Sequence, residues 1–249
     1  MFWDGRLSRI FSFICFFCLL QAVSLPLSAW KSVVHVHLAL LAREDAVDDG
    51  MVTLYEMDYK SGRILKDAAG NFKVIGSYPV DSAILSAIRA FPDQYKAGSV
   101  GPDAYPDIIT GQTGIHPDNR NRGHAVSDDW LRLLWEGSKK VRPAQVKSFT
   151  VGFLAHAAGD LFGHTFVNNY SGGPFTFGEN ALKHIVLESY LDKRTPTDFP
   201  DFFTVSIDGV ENLIYKQLVI GPLVPRASES EIRNHPDYFF NYSPPRVFK

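Results

Sequence analysis

Apolar residues recur at helical spacing along much of the chain, and two of these stretches carry polar residues in a regular row. In FLAHAAGDLFGHTFV, residues 153–167, His156, Asp160 and His164 fall four apart. Around them lie Phe153, Leu154, Ala155, Ala157, Ala158, Leu161 and Phe162. A helix turns by about 100° per residue, so positions four apart lie nearly above one another. The pattern predicts a helix apolar on most of its circumference, hence buried, with one polar row. In ENALKHIVLESYLDKR, residues 179–194, Leu182, Ile185, Val186, Leu187, Tyr190 and Leu191 predict a second helix. His184 and Glu188 again fall four apart on one face. WKSVVHVHLALLARED, residues 30–45, predicts a third, with His35, Leu38, Ala39 and Ala42 on one face and His37 elsewhere. A strand would put His35 and His37 on the same side, but the following ALLA favours a helix.

A coarse pass predicts helices near 33–44, 81–91, 127–138, 143–168, 179–193 and 208–219. Residues 51–80 alternate in short pieces and are ambiguous between strand and helix. Residues 98–126 read as a long loop rich in Gly, Pro, Asp and Asn, and the proline-containing tail from 195 as largely irregular. The expected fold is all-α, a single-domain helical bundle with its polar rows buried between helices.

Buried charges need a counter-charge or a metal. Three metal-type ligands in a row, with no Lys or Arg between them, are poorly explained as separately satisfied core residues. Imidazole and carboxylate together form a zinc ligand set. Gly159 and Gly163 weaken the helix but leave room beside the row for a metal cluster or a close helix neighbour.

Composition narrows the function classes. The chain has 249 residues, 45% hydrophobic and 21% charged, with a formal charge of −2. That suits one sizeable globular core. No basic patch supports tracking along a nucleic-acid backbone. Arg6 and Arg9 precede the apolar run IFSFICFFCLLQAV, and SLPLSA ends in small residues, the pattern of a secretory leader. Cleavage after Ala29 is expected, giving domains 1–29 (signal peptide) and 30–249 and a secreted or periplasmic product. Cys15 and Cys18 would leave with the leader, so the mature chain would use no disulfide. Trp30 would become the first residue, its amine and carbonyl free to chelate a metal.

These pieces together resemble the zinc-dependent phospholipase C family, closest to the catalytic domain of glycosylphosphatidylinositol-specific phospholipase D. Single-strand-specific zinc nucleases are similar at greater distance. The family pattern runs in order through Trp30, His35, Asp103 in YKAGSVGPDAYPDI, His116 in GQTGIHPD, the row His156, Asp160, His164, and then His184 and Glu188. His124 is a rival to His116, which is preferred on spacing, and Asp107 is a weaker rival to Asp103. The third residue of the row comes four after the Asp, as in the phospholipase D group. The secreted bacterial enzymes place it six after, where this chain has Phe166.

The resemblance implies three zinc ions. The first would be held by Asp103, His116, His156 and Asp160, the second by His164, His184 and Glu188, and the third by Trp30 and His35 with Asp160 bridging. It implies hydrolysis of a phospholipid or related phosphodiester by activated water, with Asp103 orienting or deprotonating that water, and peripheral contact with a membrane. Alternatives are a zinc nuclease or nucleotidase, disfavoured by the acidic chain, and a non-catalytic exported protein stabilised by metal. Phe175, Phe177, Phe199, Phe202, Phe203, Tyr238, Phe239, Phe240 and Tyr242 are candidates for an acyl or base pocket, with core packing the favoured role.

Overall fold

The computed structural model describes residues 32–58, 60–105, 127–173 and 179–214. Helix α1 (Ser32–Asp49) leads into strands β1 (Met51–Tyr55), β2 (Met57–Asp58), β3 (Arg63–Ile64) and β4 (Val74–Pro79). Helices α2 (Ser82–Ala90) and α3 (Pro92–Val100) follow, then a 3-10 turn, Gly101–Asp103. Beyond lie α4 (Ser127–Lys140), α5 (Ala144–Ser171), α6 (Ala181–Asp192) and a helical turn, α7 (Glu211–Leu213). The described chain is mostly helical, as the periodicity predicts.

The ambiguous stretch resolves into a β-arm. β1 pairs antiparallel with β4, Met51 opposite Pro79 and Thr53 opposite Ser77, and β2 pairs with β3. Neither two-stranded sheet has a core of its own. The arm is fixed at its base, where Thr53 N donates to Asp45 on α1 and Val52 packs against the core of α1 and α2.

Local chemistry sets the helix ends. The Asp81 carboxylate accepts from Ala83 N and Ile84 N and caps α2. Pro92 cannot continue α2 but suits a first helical position, so the chain breaks at Phe91 and restarts as α3. α5 ends at Gly172, whose φ of 99° is costly for any residue with a Cβ.

α5, 28 residues and about 42 Å long, is the axis of the fold. Its first half packs Val146, Phe149 and Phe153 with Ala97, Leu134, Val210, Leu213 and Ile214. Ala39, Ala46, Ile88 and Tyr95 form a second core between α1, α2 and α3. The Tyr95 hydroxyl donates to the Ala39 carbonyl at 2.9 Å, tying α3 to α1. Burial pushes the Tyr95 phenol far above its usual range, so it stays a neutral donor. Val36, Leu40 and Phe202 make a third core, flanked by Phe199. Phe199 and Phe202 therefore pack the fold, and Phe203 is exposed. The other aromatic pocket candidates lie outside the described residues.

The tightest contact is where α3 crosses α5. A Cβ on Gly98 would overlap the Phe149 carbonyl, and one on Gly152 would overlap the Tyr95 carbonyl. Each helix thus brings a glycine to the other's backbone. The buried Lys96 side chain, ion-paired to Asp93 at 3.0 Å, donates to the Asp201 carbonyl and clamps the following chain onto α3.

Three expectations need correction. The expected loop from 98 begins as helix, with α3 running to Val100 and the 3-10 turn carrying Asp103, because Gly98 is required inside the helix crossing. Leu38 and Ala42 do not share the buried face of His35, since α1 turns Ala39, Val36 and Leu40 inward. The C-terminal half of α5 is not buried all round: Leu161 and Phe162 are 72% and 76% exposed. On α6, Leu182, Val186 and Tyr190 are exposed too. In both helices the polar row faces inward and part of the apolar pattern faces out.

Candidate metal centre

Asp160 lies at the centre of the site and is 1% exposed. One carboxylate oxygen is 3.3 Å from His35 Nε2 and 3.7 Å from His164 Nε2, and the other is 3.1 Å from His156 Nε2. His156 and His164 stand one turn either side of Asp160 on α5, as the four-residue spacing requires. His35 arrives from α1, its ring stacked on His156 with centroids 3.7 Å apart. Gly159 admits it, since a Cβ there would lie 3.0 Å from His35 Nδ1. The space beside the row is thus filled by a neighbouring helix.

Asp103 completes this group. One ligand atom each from His35, Asp103 and His156 falls within a 4.8 Å cluster, all three buried. The helix crossing places it. With α3 pressed on α5, the Ser99 carbonyl lies 2.9 Å from His156 Nδ1. The bond makes Nδ1 the protonated nitrogen and leaves the Nε2 lone pair facing the carboxylates. The chain then turns at Gly101, with φ of 54° and no room for a Cβ beside the His156 ring, and presents Asp103 one residue after Pro102.

A second group adjoins the first. His184 and Glu188 on α6 are both buried, with Nε2 2.8 Å from the carboxylate. The His164 and His184 rings lie 5.6 Å apart, so His164 links the two groups. The Ser171 hydroxyl sits 3.5 Å from His184 Nδ1. Asn180 and Ser171 both donate to the Gly173 carbonyl, holding the start of α6 against the end of α5. Phe166, at the alternative spacing after the Asp, is partly exposed.

Seven of the residues singled out by sequence are thus placed on two adjoining groups. Trp30, His116, His124 and Asp107 lie outside the described residues. His37 stands apart, edge-on to Phe199 at 5.5 Å. Sequence reasoning missed the Ser99 carbonyl and the Gly98–Gly152 crossing. A backbone acceptor leaves no signature in residue type, but Gly152 inside the predicted 143–168 helix was a signal for close approach.

A profile of the zinc-dependent phospholipase C family matches residues 64–218, more than half of the chain. The chain belongs to the zinc-dependent phospholipase C family. No curated protein and no solved structure matches it. The match begins after α1, so His35 joins the site on geometry rather than through the profile. Membership of the zinc-dependent phospholipase C family supports hydrolysis of phosphoric esters and implies a phospholipid substrate.

The donor set fits zinc. Imidazole Nε2 atoms and carboxylates converge, and a bond from outside orients His156. In metal-free protein a proton would take the place of a cation. Burial pulls the His156 pKa down, but the charge and hydrogen bond of Asp160, with Asp103 and the Ser99 carbonyl, outweigh it and raise it to about 9. A raised pKa gives stability that is full below the unfolded value near 6.5 and is lost as pH climbs through about 9. Chelator-treated protein is therefore expected to unfold at lower urea at about pH 10 than at about pH 6. An unchanged or higher midpoint at the upper pH would show that the carboxylates do not hold that proton.

Proposed function

We propose that this protein is an exported, zinc-dependent phosphodiester hydrolase that acts on phospholipid. The observation that carries the reading is Asp160, a buried carboxylate facing the Nε2 atoms of three histidines from two helices. Such a group would hold metal between the helices, and a second group within ring contact would extend the site.

His35, Asp103, His156 and Asp160 would hold metal on one side, and His164, His184 and Glu188 on the other. Three ions are proposed, with His116 completing the first set. Cleavage after Ala29 would free the Trp30 amine five residues ahead of His35, completing the third. Zinc supplies Lewis acidity, neutralising phosphate charge and lowering the pKa of water.

The chain's own residues do the rest. Ser99 keeps His156 in one tautomer. Asp160 offers one oxygen to each side of its row. Asp103, on a 3-10 turn, is the carboxylate placed to orient a water and take its proton as that water attacks phosphorus and the ester P–O bond breaks, the proton passing on to the departing alkoxide. Ser171 orients His184 from outside. Outward transfer through a cleaved leader also places the protein where lipid surfaces are met from outside the cell.

The test is phospholipid hydrolysis by purified protein beginning at Trp30, with zinc measured on the same sample. Zinc-dependent release of diacylglycerol or phosphatidate, lost in His156→Ala together with metal, is the expected result. Nucleotide or single-stranded nucleic acid turnover without lipid turnover would replace the substrate class. Bound zinc without turnover of either would leave a metal-stabilised protein.

A further inference from the structure

We propose that Asn168 is a positioning residue of the second group, accepting a hydrogen bond from an O–H held beside His164, His184 and Glu188. The inference rests on the metal-hydrolase reading above and extends it to a residue outside the ligand set.

Asn168 continues the α5 row, one turn beyond His164. Its amide oxygen is buried and meets no hydrogen-bond partner among the described residues. Buried polar groups are nearly always paired, so this one asks for a partner beyond the described residues, and a bound O–H is the partner proposed. Its place is fixed by its neighbours on the same face. His164, one turn before, lies against the His184 ring, and Ser171, nearly one turn after, meets His184 Nδ1. Helical side chains lean towards the N-terminus, so the amide leans over the His164 turn and into the second group. His184 does not supply the missing donor, because Ser171 and Glu188 already face its two ring nitrogens. The remaining donor that suits a phosphoester site is a hydroxyl, either a water or the alcohol released from phosphorus.

Asn168→Leu keeps the size and removes the acceptor. No described protein group loses a partner in this variant, so in metal-free, substrate-free protein the change costs little stability. Its melting temperature is therefore expected to hold or rise while kcat/KM falls on the order of tenfold, the weight of one hydrogen bond. The visible spectrum of cobalt(II)-loaded protein is the second readout. A band shift in substrate-free Asn168→Leu identifies water as the donor. An unchanged band with a raised KM and weakened product inhibition identifies the substrate's hydroxyl. Asn168→Asp, which keeps an acceptor, is expected to retain most of the rate. If Asn168→Leu leaves spectrum, kcat and KM alone, or if Asn168→Asp fails as badly as Leu, the assignment is overturned. Wild-type protein that takes up no cobalt would overturn the metal reading itself and this inference with it.

Discussion

Asp160→Asn is expected to lose bound metal and lipid hydrolysis together while leaving the helices in place. The substitution keeps the shape of the side chain and removes one charge from a position 1% exposed, facing three imidazoles. On the proposed ligand set Asp160 is a direct ligand, and losing one should cost more than losing an outer partner of a ligand, which costs about 10–100-fold. The fall in kcat/KM should be on the order of a thousandfold or more. His156 should respond as well, because Asp160 is the main influence that raises its pKa. In chelated protein its proton should then leave at a lower pH, which an NMR titration of the imidazole reads directly. Asp160→Asn protein that kept its zinc and its rate would remove Asp160 from the centre of the mechanism.

Gly152→Ala is expected to act on stability first and on chemistry as a result. A Cβ there meets the Tyr95 carbonyl, so backbone has to move. Overpacking a core costs about 1–3 kcal/mol where side chains can yield, and a rigid carbonyl puts this site at about 3 kcal/mol or above. For a chain of this size that is about 6–12 °C in melting temperature. Separating α3 from α5 would also draw the Ser99 carbonyl away from His156 and shift Asp103, so the protein that does fold should bind zinc more weakly. Thermal unfolding followed by circular dichroism, with and without zinc, separates the two effects. An unchanged melting temperature would mean that the helices do not cross this closely.

Helices were legible because burial in this fold follows the turn of the helix. His156, Asp160 and His164 could be put on one face from spacing alone, and so could His184 with Glu188. That these rows point inward followed from the cost of burying charge beside an apolar face. What spacing could not give was which apolar residues on the same helices face out. Leu161 and Phe162 look like core in the sequence and are exposed. Periodicity finds the direction of the inner face but not how far round the helix its neighbours reach. The β-arm was illegible for a related reason. Its strands are two to six residues long and mostly exposed, so the short alternating pieces of their sequence mark no buried face. His35 came from the helical reading of residues 30–45, and Asp103 from resemblance. Their approach to His156 depends on α1 and α3 packing on α5, which no local pattern encodes.

One feature of the site reaches into how such a chain can change. The tautomer of His156 is set by a main-chain carbonyl, which every amino acid carries. Position 99 can therefore exchange among small residues without altering the imidazole chemistry. The constraint passes instead to Gly98 and Gly152, neither of which supplies a ligand atom. Substitutions that disable this centre need not fall on its charged residues. Tolerance across the chain should follow the distance between two helix axes as closely as the distance to the ligands.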